Sequence, residues 1–119
     1  MTVDEILEGN KLIAEFMGYE GQHEDWCGNN IEVEDQFSET GKSMIAYSPN
    51  ESWRWLMEAV IKIEDGLFAV EIKDNHCFIS GYRKYEGFTI LHKKSMESKI
   101  TATYKAVVAF IKWYNTNKS

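Results

Sequence analysis

The sequence predicts an α+β domain, in which an antiparallel or mixed sheet of about four strands is covered by three helices in the order α-β-α-β-β-β-α. Three observations support this fold class. Three stretches repeat apolar residues every three or four positions, as helices with one buried face do. The segments between them are short, apolar and rich in β-branched and aromatic residues, as strands are. The 119 residues include one Pro and no repeat or linker, so we expect a single α+β domain over residues 1–119.

The first helix is predicted to begin after Thr2 and to end at Gly18. Thr2 and Glu5 have the spacing of a capping box, in which the hydroxyl accepts from the Glu5 amide and the carboxylate reaches back. Gly is common at a helix C-terminus because it adopts the left-handed conformation without strain. The predicted apolar face consists of Val3, Ile6, Leu7, Ile13, Phe16 and Met17.

The second helix is predicted to begin near Ser48, which would cap it, with Pro49 at the first helical position and Glu51 closing the box. Trp55 would then lie well off the buried stripe, beside Arg54. There it either packs on a neighbouring loop or strand or contacts a protein partner, since Trp and Arg dominate interface energetics. The predicted buried stripe is Trp53, Leu56, Met57, Val60 and Ile63, with Gly66 ending the helix.

The third helix is predicted from about Met96 to Tyr114. Its apolar residues cover so much of its circumference that we expect it to touch two neighbouring elements. The strand candidates include a hairpin whose two strands flank the turn Lys73–Asn75, a segment of typical turn residues. All candidate strands are Ile31–Val33, Ser43–Tyr47, Leu67–Ile72, His76–Ile79 and Gly87–Leu91.

Charge is distributed unevenly along the chain, although the net charge is only −6. Residues 1–40 hold eleven acids against Lys11, a balance of −10, whereas residues 41–119 have a balance of +4. Such segregation predicts either two surfaces of opposite sign or two halves that neutralise each other. The N-terminus lacks the features of a signal peptide, and no apolar run approaches the roughly 18 residues of a membrane span. We therefore expect a cytoplasmic protein.

No motif of a metal site or an enzyme is present in the sequence. The pairs His23–Cys27 and His76–Cys77 supply the soft ligands, but adjacent strand residues face opposite ways, so a four-ligand zinc site is not expected. A phosphate-binding Gly-rich loop, an HExxH motif and a nucleophile elbow are lacking. We therefore expect no cofactor, no metal and no catalytic residue.

Two charged segments are candidate interaction sites. The acidic stretch at residues 23–36 predicts these partner-binding residues: Glu24, Asp25, Trp26, Glu32, Glu34 and Asp35. The segment 82–94 combines basic side chains, which neutralise phosphates, with aromatic rings, which stack on unpaired bases. Its alternative interpretation is a solvated hairpin tip, which the overall pI of about 5.0 favours. The residues of a nucleic-acid site there would be Tyr82, Arg83, Lys84, Tyr85, Lys93 and Lys94.

Three segments resemble small phage proteins of the ABA-sandwich type. Leu12–Tyr19 (LIAEFMGY) resembles their "LIA-x-x-MG-aromatic" opening, and Tyr47–Met57 (YSPNESWRWLM) is similar to their "YSPS…W" segment before the second helix. Ala102–Val108 (ATYKAVV) resembles their Ala-rich closing helix. The resemblance implies a sheet–helix domain of two or three layers and a phage or prophage origin. It implies no catalytic residues, and the acidic residues 20–40 depart from the family pattern.

These features together favour an inhibitor over an enzyme. The leading hypothesis is a non-enzymatic, anti-CRISPR-type protein that binds a host defence nuclease or RNA-guided effector stoichiometrically in the bacterial cytoplasm. Such effectors bind nucleic acid in basic channels, which an acidic surface complements. The alternative is a nucleic-acid-associated phage accessory protein that binds RNA through the segment 82–94. A third alternative is a small homo-oligomeric structural protein.

Overall fold

The structure, a computed structural model, describes residues 1–19, 30–34, 39–40, 42–66, 68–81, 89–94 and 98–117. These residues form three α-helices and five β-strands, and the chain divides into two compact units, Met1–Ser48 and Pro49–Ser119. The first unit contains α1 (Val3–Met17), β1 (Asn30–Glu34) and β2 (Lys42–Ala46). The second contains α2 (Trp53–Asp65), β3 (Phe68–Lys73), β4 (His76–Gly81), β5 (Thr89–Lys94) and α3 (Lys99–Asn117).

The predicted fold class is confirmed at its coarser level: the chain is α+β, with three helices and antiparallel strand pairs. The predicted strand count and order are not confirmed. The described strands number five, in one sheet of two and another of three, and the element order is α-β-β-α-β-β-β-α. The predicted order counted one strand between the first two helices, whereas two of the candidate segments there form strands: Ile31–Val33 lies in β1 and Ser43–Tyr47 overlaps β2. The single domain over residues 1–119 stays a prediction.

Helix α1 begins and ends where the sequence predicts. The Thr2 hydroxyl accepts a hydrogen bond from the Glu5 amide at 3.1 Å. Gly18 adopts the left-handed conformation, with a φ of 82°, and follows the last helical residue. The predicted apolar face is wrong at its first member, because Val3, in the first turn of α1, is 71% exposed. The fully buried positions are Gly9, Asn10, Ile13 and Ala14.

Two aromatic rings connect the ends of α1 and β2 within the first unit. Tyr19, just after α1, and Tyr47, just after β2, make an edge-to-face contact with 5.9 Å between ring centroids. Tyr47 is completely buried. Edge-to-face aromatic pairs contribute roughly 0.5–1.5 kcal/mol beyond the burial of their area. The contact therefore holds the strand pair β1–β2 near the C-terminal end of α1.

Helix α2 begins four residues later than predicted. Ser52, not Ser48, is its N-cap residue, and the Leu56 amide donates to the Ser52 carbonyl at 3.2 Å. Pro49 is buried and starts a turn over Pro49–Glu51, so its fixed φ serves that turn and not the first helical position. The capping box predicted from Ser48 to Glu51 is therefore wrong.

The two tryptophans of α2 exchange their predicted roles. Trp55 is buried, with 3% of its surface exposed, whereas Trp53 is 38% exposed. A helix places residues four apart on one face, so Trp55 shares its face with the buried Ala59 and Ile63. The sequence placed Trp53 in the buried stripe because Trp53, Met57 and Val60 have an equally good helical spacing.

The second unit is built on the three-stranded antiparallel sheet β3-β4-β5, with β4 in the centre. The predicted hairpin is confirmed: Lys73 pairs with His76 across a two-residue turn in which Asp74 has a φ of +53°. Asp tolerates this conformation better than most residues with a β-carbon. Strand β5 pairs with β4 through a register shift at Ile79/Ser80, so β4 carries hydrogen bonds on both edges.

Helix α3 covers one face of this sheet. It packs against all three strands and against α2, which confirms that it touches two neighbouring elements. Its start lies at Lys99 and not at Met96, because the Ser98 hydroxyl accepts from the Thr101 amide at 3.2 Å and so caps the helix. Among the described helices none combines the length and apolarity that crossing a bilayer requires.

Candidate functional site

The acidic candidate site is partly described, in strand β1. Glu32 pairs with Met44 and Glu34 with Lys42 across the antiparallel pair β1–β2. Since alternate positions of a strand share one face, Glu32 and Glu34 belong to one face of this pair and Ile31 and Val33 to the other. The other predicted members, Glu24, Asp25, Trp26 and Asp35, lie outside the described residues.

The division of charge in the sequence nearly coincides with the division of the fold. The first unit, Met1–Ser48, holds eleven acids against Lys11 and Lys42, a net charge of −9. The second unit, Pro49–Ser119, holds eight acids against eleven bases, a net charge of +3. We call the first unit, Met1–Ser48, the acidic unit.

The basic candidate site is described only at its C-terminal end. Lys93 and Lys94 are the last residues of β5, opposite Cys77 and His76, and Lys93 is exposed. Consecutive strand residues alternate in face, so the two lysines belong to opposite faces of the sheet. The segment with Tyr82, Arg83, Lys84 and Tyr85 lies outside the described residues. The nucleic-acid site at these six residues therefore stays a prediction.

The predicted separation of His76 from Cys77 is confirmed. Burial alternates along β4, with Cys77 fully buried on the α3 side and hydrogen-bonded to the Thr103 side chain. His76 is half-buried and stacks on Phe78. Within the described ranges, no group of three or more His, Cys, Asp or Glu side chains is arranged to hold a metal ion.

Because Cys77 is buried, we expect the free energy of unfolding to fall as the pH rises into the alkaline range. Burial raises the pKa of this thiol from 9.0 to about 11, against a smaller lowering by the Thr103 hydrogen bond. Below pH 9 the thiol is protonated in both the folded and the unfolded chain, so the buried neutral thiol contributes its full share to the free energy of unfolding. Between pH 9 and 11 only the unfolded chain ionises, and we expect the free energy of unfolding to fall by about 2–3 kcal/mol.

Urea unfolding at a series of pH values from 8 to 11 measures this effect. The matched control is Cys77→Ala, which lacks the thiol and should lose less stability over the same range. Burial also raises the pKa of Tyr104, so some alkaline destabilisation remains in the variant. Parallel pH curves for the two proteins would contradict the assignment to Cys77.

The sequence interpretation missed the face of the sheet opposite α3. We define the outer face as the alternate positions occupied by Glu71, Lys73, His76, Phe78, His92 and Lys94. The rings of His76 and Phe78 are nearly parallel there, with 5.9 Å between centroids and an interplanar angle of 9°. The signal was present in the alternation of His76-Cys77-Phe78-Ile79, which identifies two residues for each face.

A second exposed feature is an apolar stripe on α2. Trp53 and Ile61 are 38% and 56% exposed, and Met57 lies between them at the helical spacing of four. The Arg54 guanidinium lies 5.7 Å from the centre of the Trp55 ring, so this arginine packs over the inner tryptophan. One sequence interpretation made Trp55 and Arg54 a contact for a protein partner. In the structure Trp55 is buried, and Arg54 lies over its ring.

Comparison with known proteins leaves the chain without an assigned family. No protein-family model, curated protein or solved structure matches it. The likeness to phage ABA-sandwich proteins therefore stays a prediction from residues 12–19, 47–57 and 102–108.

Proposed function

We propose that this protein is a phage-encoded, non-enzymatic inhibitor of a host defence nuclease or RNA-guided effector, anti-CRISPR in type. It acts by stoichiometric binding, with the acidic unit docked against a basic surface of the effector. The observation that carries the proposal is the charge of −9 on the acidic unit, confined to a part of the fold distinct from the +3 unit.

The geometry of β1 supports a binding role for the carboxylates. Glu32 and Glu34 occupy alternate positions of one strand, roughly 7 Å apart along it, because each residue advances the strand by about 3.4 Å. Phosphates along one strand of B-DNA advance about 3.4 Å each, so this pair of carboxylate positions has about half that linear charge density. Two carboxylate positions on one face of a strand still complement basic groups that a nuclease places along a nucleic-acid channel.

The electrostatics predict how binding responds to salt and mutation. A single-sign surface steers a partner of the opposite sign and raises the association rate, and salt weakens this effect. Docking of like charges costs several kcal/mol. Reversing four carboxylates of the acidic unit to Lys should therefore lower the affinity for the effector at least about a hundredfold.

The test is inhibition of target cleavage by purified RNA-guided nucleases, titrated with the intact chain and with Glu24→Lys/Asp25→Lys/Glu32→Lys/Glu34→Lys. We expect the intact chain to stop cleavage at a fixed molar ratio and the reversed variant to lose inhibition. The matched control reverses four acids of the second unit and so changes net charge equally: Glu51→Lys/Glu64→Lys/Asp65→Lys/Glu71→Lys.

The control should inhibit as the intact chain does, because its new charges lie outside the acidic unit. Inhibition that survives the reversal in the acidic unit would refute the mechanism. Equal loss in both variants would assign the effect to net charge alone and would also contradict docking through the acidic unit.

A further inference from the structure

The apolar stripe of α2 places three large side chains on one exposed side of the helix. Trp53, Met57 and Ile61 follow one another at intervals of four residues, so their side chains form a continuous row. Trp53 and Ile61 are exposed in the folded chain, and Met57 is half-buried. Single apolar residues are common on protein surfaces, but a continuous row that includes a tryptophan has the composition of an interface core.

Helix α2 is attached to its own unit through its other side. It packs on β3 and on α3, and its buried residues there are Trp55, Leu56, Ala59, Val60 and Ile63. The apolar stripe is not among them, so the packing of the second unit does not account for it.

Opposite charges lie at the two ends of the apolar stripe. Arg54 follows Trp53 in the first turn of α2, Asp65 is the last residue of the helix, and both are exposed. They are eleven positions apart, about three helical turns, so they lie on the same side of the stripe. The Arg54 guanidinium lies over the Trp55 ring, which leaves its N–H edge to a carboxylate. Among the described residues neither Arg54 nor Asp65 takes part in an ion pair.

This arrangement is complementary to itself under a twofold rotation. When two copies of a helix meet antiparallel, residues on the same side of the contact face each other from opposite ends. Arg54 then lies opposite Asp65 of the partner subunit, and the symmetry forms this pair twice. The apolar stripes meet in the middle, and each positive helix N-terminus comes close to a negative C-terminus.

We propose that two copies of this chain form a dimer through α2, with the helices antiparallel, the apolar stripes packed together and Arg54 paired with Asp65 of the partner subunit. A helix of 13 residues is about 20 Å long, so the contact is smaller than the roughly 800 Å² per partner of a stable interface. The dimer is therefore weak and forms at roughly 100 μM protein. It uses the second unit and does not depend on docking through the acidic unit.

Sedimentation equilibrium of the full chain, from about 5 to 500 μM protein in about 150 mM salt, tests the dimer. We expect the mass to rise from 13.8 kDa toward twice that value. Ile61→Gln should raise the dissociation constant about tenfold, because it places a polar group in the centre of the contact. Arg54→Glu and Asp65→Lys should each raise it about tenfold, because each opposes like charges. The combined variant Arg54→Glu/Asp65→Lys exchanges the two signs and should bring the constant back to within about threefold of its original value.

Matched controls lie away from the apolar stripe. Val3→Gln replaces an exposed apolar side chain of α1, and Lys99→Glu reverses an exposed charge of α3 and changes net charge as Arg54→Glu does. Neither should change the dissociation constant, and circular dichroism verifies that each variant folds.

Three results would overturn the proposal. The first is a mass that stays at 13.8 kDa over the whole concentration range. The second is growth beyond two copies, because a contact with twofold symmetry closes at the dimer. The third is a dimer that Ile61→Gln leaves unchanged, or one that the combined charge exchange leaves as weak as the single reversals do.

Discussion

Trp55→Ala should lower the free energy of unfolding by about 3–5 kcal/mol, the usual range for deleting a large buried aromatic side chain. Trp55 is 3% exposed and lies on the inner face of α2, beside the buried Leu56 and on the same stripe as Ala59. The truncation removes apolar burial and leaves a cavity that a close-packed helix face cannot fill by small shifts. Urea unfolding followed by circular dichroism measures the loss.

Trp53→Ala is the matched control, two residues away on the same helix. Trp53 is 38% exposed, so the substitution removes less buried surface and leaves no closed cavity. We expect it to cost about 1 kcal/mol. The pair thereby tests which tryptophan faces the core. A larger loss for Trp53→Ala than for Trp55→Ala would restore the order that the sequence alone favoured.

Helix ends could be predicted where a cap uses local chemistry. Thr2 and Gly18 bound α1 as expected, since a hydroxyl three residues before an amide and a glycine after an apolar stripe act within one turn. Ser48 was wrongly predicted to cap α2, because Ser-Pro is common both at a helix start and in a turn. In the structure Pro49 is buried and belongs to a turn that precedes the helix. Burial is a tertiary property, which local pattern does not contain.

The same limit explains what was missed in the candidate sites. The hairpin at Asp74–Asn75 was predictable, because turn residues between two apolar runs fix both strands. The sequence did not predict that Lys73 of β3 and Lys94 of β5 both pair with His76. Strand β5 joins the sheet in a register that the sequence does not specify. The segregation of charge was visible in the sequence, but its coincidence with two units of the fold was not.

Phe110→Ala should also cost about 3–5 kcal/mol of the free energy of unfolding. Phe110 is 1% exposed and connects the sheet to α3: its ring lies edge-to-face on Phe68, with centroids 4.9 Å apart, and contacts Trp113 at 5.8 Å. Its loss therefore removes a large side chain from the layer between α3 and β3. Tyr114→Ala, on the next turn position of α3 and 37% exposed, should cost about 1 kcal/mol.

A double-mutant cycle separates the ring contact from simple burial. Phe68→Leu and Phe110→Leu keep apolar volume and remove the edge-to-face geometry, so the coupling between them measures the aromatic pair. We expect a coupling of about 0.5–1.5 kcal/mol. Strictly additive losses would show that Phe68 and Phe110 stabilise the unit as independent apolar groups. In that case the attachment of α3 to the sheet would rest on buried area alone, and the double substitution would cost only the sum of the two single losses.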